Sequence, residues 1–292
     1  MNEEYGHEPD VPLQPVARVS VVYNLKKQAG SDEPDDKYEE YDPIATVEAV
    51  ADAVGAYGFS VSLCEQDDDF AARLAEQKPQ FVANIAEGRG EARGREAQVP
   101  CFLESAGIPY WGSDAVSMAV ALDKLLTSRT LLCDEIPVPL CACFKQEQDL
   151  SQLPSLFTER SRFVVKPRYE GSSKGIFSDS VAHTPDEAKE KIRRIWGRYA
   201  QPALLEEYLP GDEITVGIVG NGRPSVVGMM RIVPVEQREE FLYSLEEKRD
   251  YLKRIRYEGP ESIPASVRDQ VGRFALKAFQ SLELRDMARV DF

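Results

Sequence analysis

The sequence predicts an α/β fold, and two patterns predict it. From Ala17 to Ile85, strand-like apolar runs alternate with helical stretches, the pitch of a parallel sheet with helices on both faces. From Ala203 to Ile232, three strand-like runs follow one another, and Gly220-Asn-Gly222 between the last two is a hairpin signal. At roughly 150 residues per domain the chain holds about two domains, or three small lobes. With 42% hydrophobic residues among 292, it has enough apolar surface to bury a core.

Taken in order, residues 1–15 carry Pro9, Pro12 and Pro15 among acids and read as a flexible tail. Ala17 to Tyr23 is the first strand, and an acidic loop runs from Ser31 to Glu40. Asp42 is the expected N-cap of a helix with Pro43 at its first position. Ile44, Val47, Val50, Ala51 and Val54 form its apolar stripe, and Gly58 is its expected stop. Phe59 to Cys64 is a strand, Asp67 to Gln77 a helix and Gln80 to Ile85 a strand, which completes a doubly wound N-terminal domain of residues 16–113. Asp114 to Leu132 reads as one long helix, Val138 to Phe144 as a strand, and Arg162 to Pro167 as a strand entering a loop of small residues. Thr184-Pro-Asp-Glu187 is a capping box opening a helix that reaches about Tyr199. After the strands Ala203 to Leu209, Glu213 to Gly220 and Pro224 to Ile232, the stretch Val233 to Pro260 is charged, long and poorly periodic, the pattern of a functional or disordered loop. Pro264 to Leu282 is a helix, and Arg289-Val290 lies in a strand.

Composition removes several function classes. Fifty acids against 35 bases leave a net charge of −15, which opposes a bulk grip on nucleic acid or an anionic membrane. Of the two histidines, His7 lies in the tail and His183 in a polar turn, which excludes a Ser-His-Asp triad or a multi-histidine metal site. No apolar run approaches the ~20 residues of a membrane span, and the acidic start lacks the apolar core of a secretory signal. Five cysteines without a CxxC pair read as small buried residues in a reducing compartment, so a cytoplasmic location is expected.

Three motifs carry chemistry. In Val164-Val-Lys-Pro-Arg-Tyr-Glu-Gly-Ser-Ser-Lys-Gly175, a buried strand delivers Lys166 to a loop whose small residues let backbone N–H groups approach an anion. An ordinary Gly-Ser hairpin beside a surface lysine has the same pattern. In Leu204-Leu-Glu-Glu-Tyr-Leu-Pro-Gly-Asp-Glu213, a strand brings carboxylates, an aromatic ring and backbone groups that suit a purine and a ribose, or else forms a solvated edge. In Arg289-Val-Asp291, alternation puts Arg289 and Asp291 on one face, as a phosphate and Mg²⁺ site or as a structural ion pair.

In this order and spacing the three motifs resemble the ATP-grasp superfamily, and most closely the D-alanine–D-alanine ligase family. Ala106-Gly-Ile-Pro-Tyr-Trp-Gly-Ser-Asp114 resembles that family's Leu-Gly-Ile-Pro-Tyr-Val-Gly-Ser segment, and Ala121-Leu-Asp-Lys124 its Met-Asp-Lys. The likeness runs, with gaps, from about Val16 to Phe292. It implies the ATP-grasp architecture: a doubly wound N-terminal domain, a central α+β lobe of residues 114–203, and a C-terminal α+β lobe of residues 204–292. ATP would lie between the two lobes.

By the same resemblance, Lys124 and Lys166 reach the phosphates of ATP, and Ser172 and Ser173 sit in a loop that closes over them. Glu206, Glu207 and Leu209 form an adenine hinge, largely through backbone, with Tyr208 against the ring. Glu213 takes the ribose hydroxyls. Lys248 follows the γ-phosphate from a lid, or else lies on a helical face with Glu/Lys pairing; Arg289 stabilises the oxyanion of a tetrahedral intermediate, and Asp291 binds Mg²⁺. The implied reaction joins two amino acids through an acylphosphate, and with D-alanine it would make a cell-wall precursor. The partners are amino-acid or short-peptide substrates, and a homodimer is compatible because relatives are often dimers.

The sequence also departs from the family. A Ser-x-Glu element after the first strand is replaced by Asn24-Leu-Lys-Lys27, with Glu40 as a candidate stand-in. The loop His-Gly-x-x-Gly-Glu-Asp-Gly is replaced by Asn84 to Glu96, where Arg89, Arg93 and Arg95 would hold a carboxylate of a different or larger substrate, or pair with neighbouring glutamates. The family's next strand, with a Glu and an Asn for Mg²⁺, falls past Phe292. The resemblance therefore implies a trimmed ligase chain, or an ATP-binding protein that is non-catalytic or needs a partner to complete its site.

Overall fold

The computed structural model describes residues 17–158, 161–236 and 238–292. The tail expected over residues 1–15 lies outside them. Three sheets follow one another along the chain, the first parallel and the other two antiparallel.

The N-terminal sheet contains β1 (Arg18–Tyr23), β2 (Ser60–Glu65) and β3 (Phe81–Asn84) in the order β2-β1-β3, with α1 (Ile44–Gly55), α2 (Phe70–Gln77) and α3 (Gln98–Ala106). Alternation along β1 sends Val19, Val21 and Tyr23 to the face covered by α1. Val22 goes to the other face, where it meets Leu74 of α2 and Leu103 of α3. Burying Leu74 and Leu103 completely is worth ~1.5–3 kcal/mol each. Asp42 is not the cap of α1. Pro43 holds that position without a side-chain bond, because the Asp42 backbone is committed to Asn24 and Lys26 in a bridge beside Leu25. Nor does Gly58 stop α1, which ends three residues earlier; Gly58, at φ +88°, turns the chain into β2.

The central sheet contains β4 (Cys141–Phe144), β5 (Phe163–Pro167), β6 (Val181–Ala182) and β7 (Ala203–Glu207), ordered β4-β7-β5-β6. Around it lie α4 (Ala115–Leu122), α5 (Lys124–Cys133), α6 (Leu153–Leu156) and α7 (Pro185–Tyr199). Thr184 caps α7 by accepting from the Glu187 N–H at 3.2 Å, and Ile192 and Ile195 pack it onto Val165 and Leu205. Because β7 belongs to this sheet, the chain leaves it after Glu207 and not at the expected boundary after Ala203. The single helix expected over Asp114 to Leu132 is two helices, broken at Asp123, which has extended backbone with ψ 93°. The Asp123 carboxylate caps α5 by accepting from the Leu126 N–H at 3.2 Å, and it also holds the Arg168 guanidinium at 2.6 and 2.7 Å.

The C-terminal sheet has the order β10-β9-β8-β11, from β8 (Glu213–Val219), β9 (Ser225–Pro234), β10 (Ile255–Glu258) and β11 (Met287–Asp291). The helix α10 (Ala265–Ser281) covers one face against Ile214, Val216 and Ile218. The stretch expected as a loop, Val233 to Pro260, contains the end of β9, the short helices α8 (Leu245–Arg249) and α9 (Tyr251–Arg254), and β10. All five cysteines are free. Cys64 is buried, but Cys101 and Cys133 are exposed, contrary to the expectation of buried thiols. No helix among the described residues is long and apolar enough to cross a membrane.

Candidate active site between the central and C-terminal sheets

Strand register brings Lys166 and Glu206 together. Val164 lies opposite Glu206 and Lys166 opposite Leu204, so the two charged side chains are diagonal neighbours on one face of the β5–β7 pair. They form an ion pair of 2.5 Å. Lys124 joins them from the first position of α5, where its ammonium donates to the Glu170 carbonyl oxygen. Burial, and then the positive charge of Lys166, pushes Lys124 down to about 8. Two ammonium groups that repel each other in a partly buried cleft are a place that favours an anion.

The loop after β5 is folded back in the left-handed region, with φ +48° at Ser172 and +59° at Ser173. At Gly175, φ is +74° and a Cβ would run into the Pro167 ring, so glycine is required there. Ser173 Oγ donates to the Tyr243 carbonyl at 2.8 Å. The Gly171 N–H donates to Glu40, and the Gly175 N–H donates to Asp36 at 3.0 Å.

On the C-terminal sheet, alternation turns Glu213, Thr215, Arg289 and Asp291 away from α10 and toward the cleft. Thr215 Oγ1 donates to Asp291 Oδ1 at 2.6 Å, and Arg289 Nε lies 3.2 Å from the same oxygen. Burial, and then the charge of Asp291, raises the Glu213 carboxyl, while Lys166 and Lys248 oppose the rise. Burial, and then the charge of Arg289, lowers Lys248, whose ammonium sits 5.0 Å over the Tyr243 ring. Lys124 thus feels Lys166 and Glu206, these two act on Glu213, and Glu213 is coupled in turn to Lys248 and Asp291 beside Arg289, a chain of charges along one cleft.

The hinge residues divide. Leu209 is exposed just past β7. Glu207 is on the face opposite Glu206 and accepts from the Leu140 N–H at 3.4 Å. The Tyr208 ring is buried with Val164, Val181 and Leu242, and its hydroxyl accepts from the Phe241 N–H at 3.0 Å, which ties Phe241 to the central sheet.

The loops that depart from the family pattern also resolve. Arg95 is buried and donates to the Tyr169 carbonyl at 2.7 Å, to Glu40 at 2.7 Å and to Glu170 at 3.0 Å. Glu40 is thereby spent on Arg95 and Gly171 and is not free to hold a substrate amine. Arg89 pairs with Asp68 at 2.7 Å, and Arg93 is exposed. Two groups were missed. Glu87 is raised to about 8 by burial and then by Glu96, and Glu96 to about 7 by burial and then by Glu40. The only sequence signal for them was their place in the 84–96 loop.

Among the described residues, no group of three or more His, Cys, Asp or Glu gathers around a common point. Mg²⁺ does not require one, because it takes one or two carboxylates and completes its shell with phosphate oxygens and water. Asp291 fits that role, and Glu213 is near enough to feel its charge.

Residues 135–292 match the family model described as D-ala D-ala ligase C-terminus. The uncharacterized protein y4sG of Sinorhizobium fredii is 32% identical over 204 residues, 68% of this chain and 56% of that protein. The D-alanine–D-alanine ligase of Syntrophobacter fumaroxidans is 30% identical over 203 residues, 68% of this chain and 61% of that protein. The chain thus spans about three fifths of the length of these relatives. The structure of the Bacillus anthracis D-alanine–D-alanine ligase complexed with ATP superposes with a TM-score of 0.69 at 22% identity, covering 94% of this chain and 81% of that one. With the ATP-grasp architecture in place and more than half of its residues matched, the chain belongs to the D-ala D-ala ligase C-terminus family.

Proposed function

We propose that this chain is an ATP-dependent ligase that joins the carboxylate of one amino acid to the amine of another. The observation that supports it most is the convergence of Lys124, Lys166, Lys248 and Arg289 with Glu213 and Asp291 on one cleft between two antiparallel sheets. Phosphoryl transfer needs positioning and charge neutralisation more than covalent help, which suits a site of lysines, arginine and carboxylates.

In this reading Lys124 and Lys166 bind phosphate oxygens of ATP, and Glu206 holds Lys166 in place at 2.5 Å. Ser172 and Ser173 cover the phosphates from the glycine loop. Backbone groups of Glu206, Glu207 and Leu209 border the adenine, and Glu213 accepts from the ribose hydroxyls. Lys248 meets the γ-phosphoryl group as it passes to a substrate carboxylate. The amine of the second amino acid then displaces phosphate, giving an amide, ADP and phosphate, while Arg289 stabilises the oxyanion. Mg²⁺ bound at Asp291 supplies charge neutralisation for the phosphates. D-alanine is the first substrate to test, as the relatives' names indicate. Because the 84–96 loop departs from the family's histidine loop, a different amino-acid pair or a short peptide is the alternative substrate.

The test is phosphate release from MgATP by the purified chain, screened across L- and D-amino acids singly and in pairs. Release that depends on an amino acid supports the ligase. Silence across the panel, with ATP still bound, would replace it with a non-catalytic or partner-dependent ATP-binding protein.

A further inference from the structure

The acidic loop 31–40 has no role in the ligase reading, yet four of its carboxylates hold the glycine loop and the α8 turn on either side of the cleft. The loop winds in successive turns, with the Lys37 N–H donating to the Pro34 carbonyl and the Glu39 N–H to the Asp36 carbonyl, both at 3.0 Å. Its carboxylates fall into two sets at i, i+4 spacing. Asp36 and Glu40 are buried and accept from the Gly175 and Gly171 N–H groups, which fixes both ends of the glycine loop. Asp35 and Glu39 turn to Arg249. Its guanidinium donates to Asp35 at 2.9 Å and to Glu39 at 2.8 and 3.2 Å.

Arg249 follows Lys248 in α8, a helix of five residues. A helix that short has little stability of its own, so its orientation is set by what its side chains hold. Leu245 donates from its backbone to the Ile176 carbonyl at 2.9 Å, and Glu247 accepts from Arg238 at 2.8 Å. Neither tether reaches the 31–40 loop that follows β1. Arg249 does, and it is the neighbour of the lysine aimed at the cleft.

We propose that Asp35 and Glu39 are positioning residues for Lys248, acting through Arg249, so that seating of the N-terminal sheet sets the lid turn at the same time as Asp36 and Glu40 set the glycine loop. This rests on the ligase reading for its kinetic consequence and on geometry alone for its structural one. The two consequences are tested separately.

The Arg249 pairs are partly exposed, and exposed pairs contribute little to global stability, so their removal leaves the chain folded. In the full chain, D35N/E39Q is expected to speed amide hydrogen exchange across 243–254 about tenfold, with β5 and β7 unchanged. Amino-acid-dependent phosphate release should lose about tenfold in kcat with KM for the amino acids within about twofold. Asp35 also holds Arg198, and Glu39 holds Lys26 at 3.1 Å, so R249M, which leaves those pairs in place, is the cleaner cut: it should give the same exchange and kcat losses, and adding it to D35N/E39Q should cost less than twofold more, because one path is being cut twice. Wild-type exchange across 243–254 in D35N/E39Q would overturn the proposal, and so would losses that multiply in the triple variant. If the wild-type chain releases no phosphate with any amino acid, the ligase reading fails, and the exchange measurement still decides whether the acidic loop sets the lid.

Discussion

Arg95 and Arg289 each face a carboxylate, and they sit in opposite circumstances. The Arg95–Glu40 pair has side chains 2% and 3% exposed, and every partner it has comes from the protein. The Arg289–Asp291 pair is 68% and 55% exposed, with one ion pair and one hydroxyl to satisfy it. A buried arginine whose donors are spent on carboxylates and a carbonyl can only hold the fold together. An exposed one beside a cleft keeps donors for a ligand. Arginine content alone does not locate a substrate site; the share of donors already used does.

The sharpest way to break this contrast is Arg95→Met. It leaves Glu40 buried without its cation and Glu170 with Lys174 alone, and such losses run to ~3–5 kcal/mol. Urea denaturation should show the midpoint falling accordingly, and an unchanged midpoint would mean that Arg95 does not hold the 84–96 loop to Glu40 and Glu170. Arg289→Ala should do the reverse. Its unfolding midpoint stays within ~0.5 kcal/mol of wild type, while amino-acid-dependent phosphate release falls ~10²–10³-fold. Lys166→Ala removes a charge-assisted contact worth ~1.5–3 kcal/mol, so MgATP binding measured by calorimetry should weaken ~10–100-fold.

A smaller effect is set by pH. Lys124 is lowered to about 8 in the free protein, and phosphate favours its charged form. The charge is present below pH 8 and lost above it, so MgATP affinity should fall about tenfold between pH 7 and 9. Lys124→Arg should flatten that fall, because guanidinium keeps its charge. The smallest change is expected for Asp68→Asn, which opens the exposed Arg89 pair and should shift stability by less than ~0.5 kcal/mol.

Much of the cleft was legible because its residues lie on strands, where a period of two fixes the face. Arg289 and Asp291 share a face by alternation, whereas Lys166 and Glu206 were read in separate motifs and their pairing comes from strand register. The packing of Tyr208 against Val181 and Leu242 was not readable because β7 ends at Glu207, and alternation says nothing one residue beyond a strand. Of α8 and α9 only a helical face around Lys248 showed, as an alternative, because four or five residues hold barely one turn, too little for a period to show. Arg95 and Glu40 were missed as a pair because 55 residues separate them and no local pattern links them. The break at Asp123 has the same origin, since its partner Arg168 lies 45 residues further on.

That break has a consequence for anyone stabilising the chain. By local propensity Asp123 is a defect between two good helices, and a helix-forming residue there is an obvious improvement. Continuous helix would advance Lys124 by about 100° around the axis from its predecessor and swing it away from the Glu170 carbonyl and the Lys166 ammonium. It would also strand the Arg168 guanidinium. Propensity-guided redesign of residues 115–133 would yield a more regular helix at the expense of the site it serves, so Asp123 should be held fixed whenever the surrounding residues are varied.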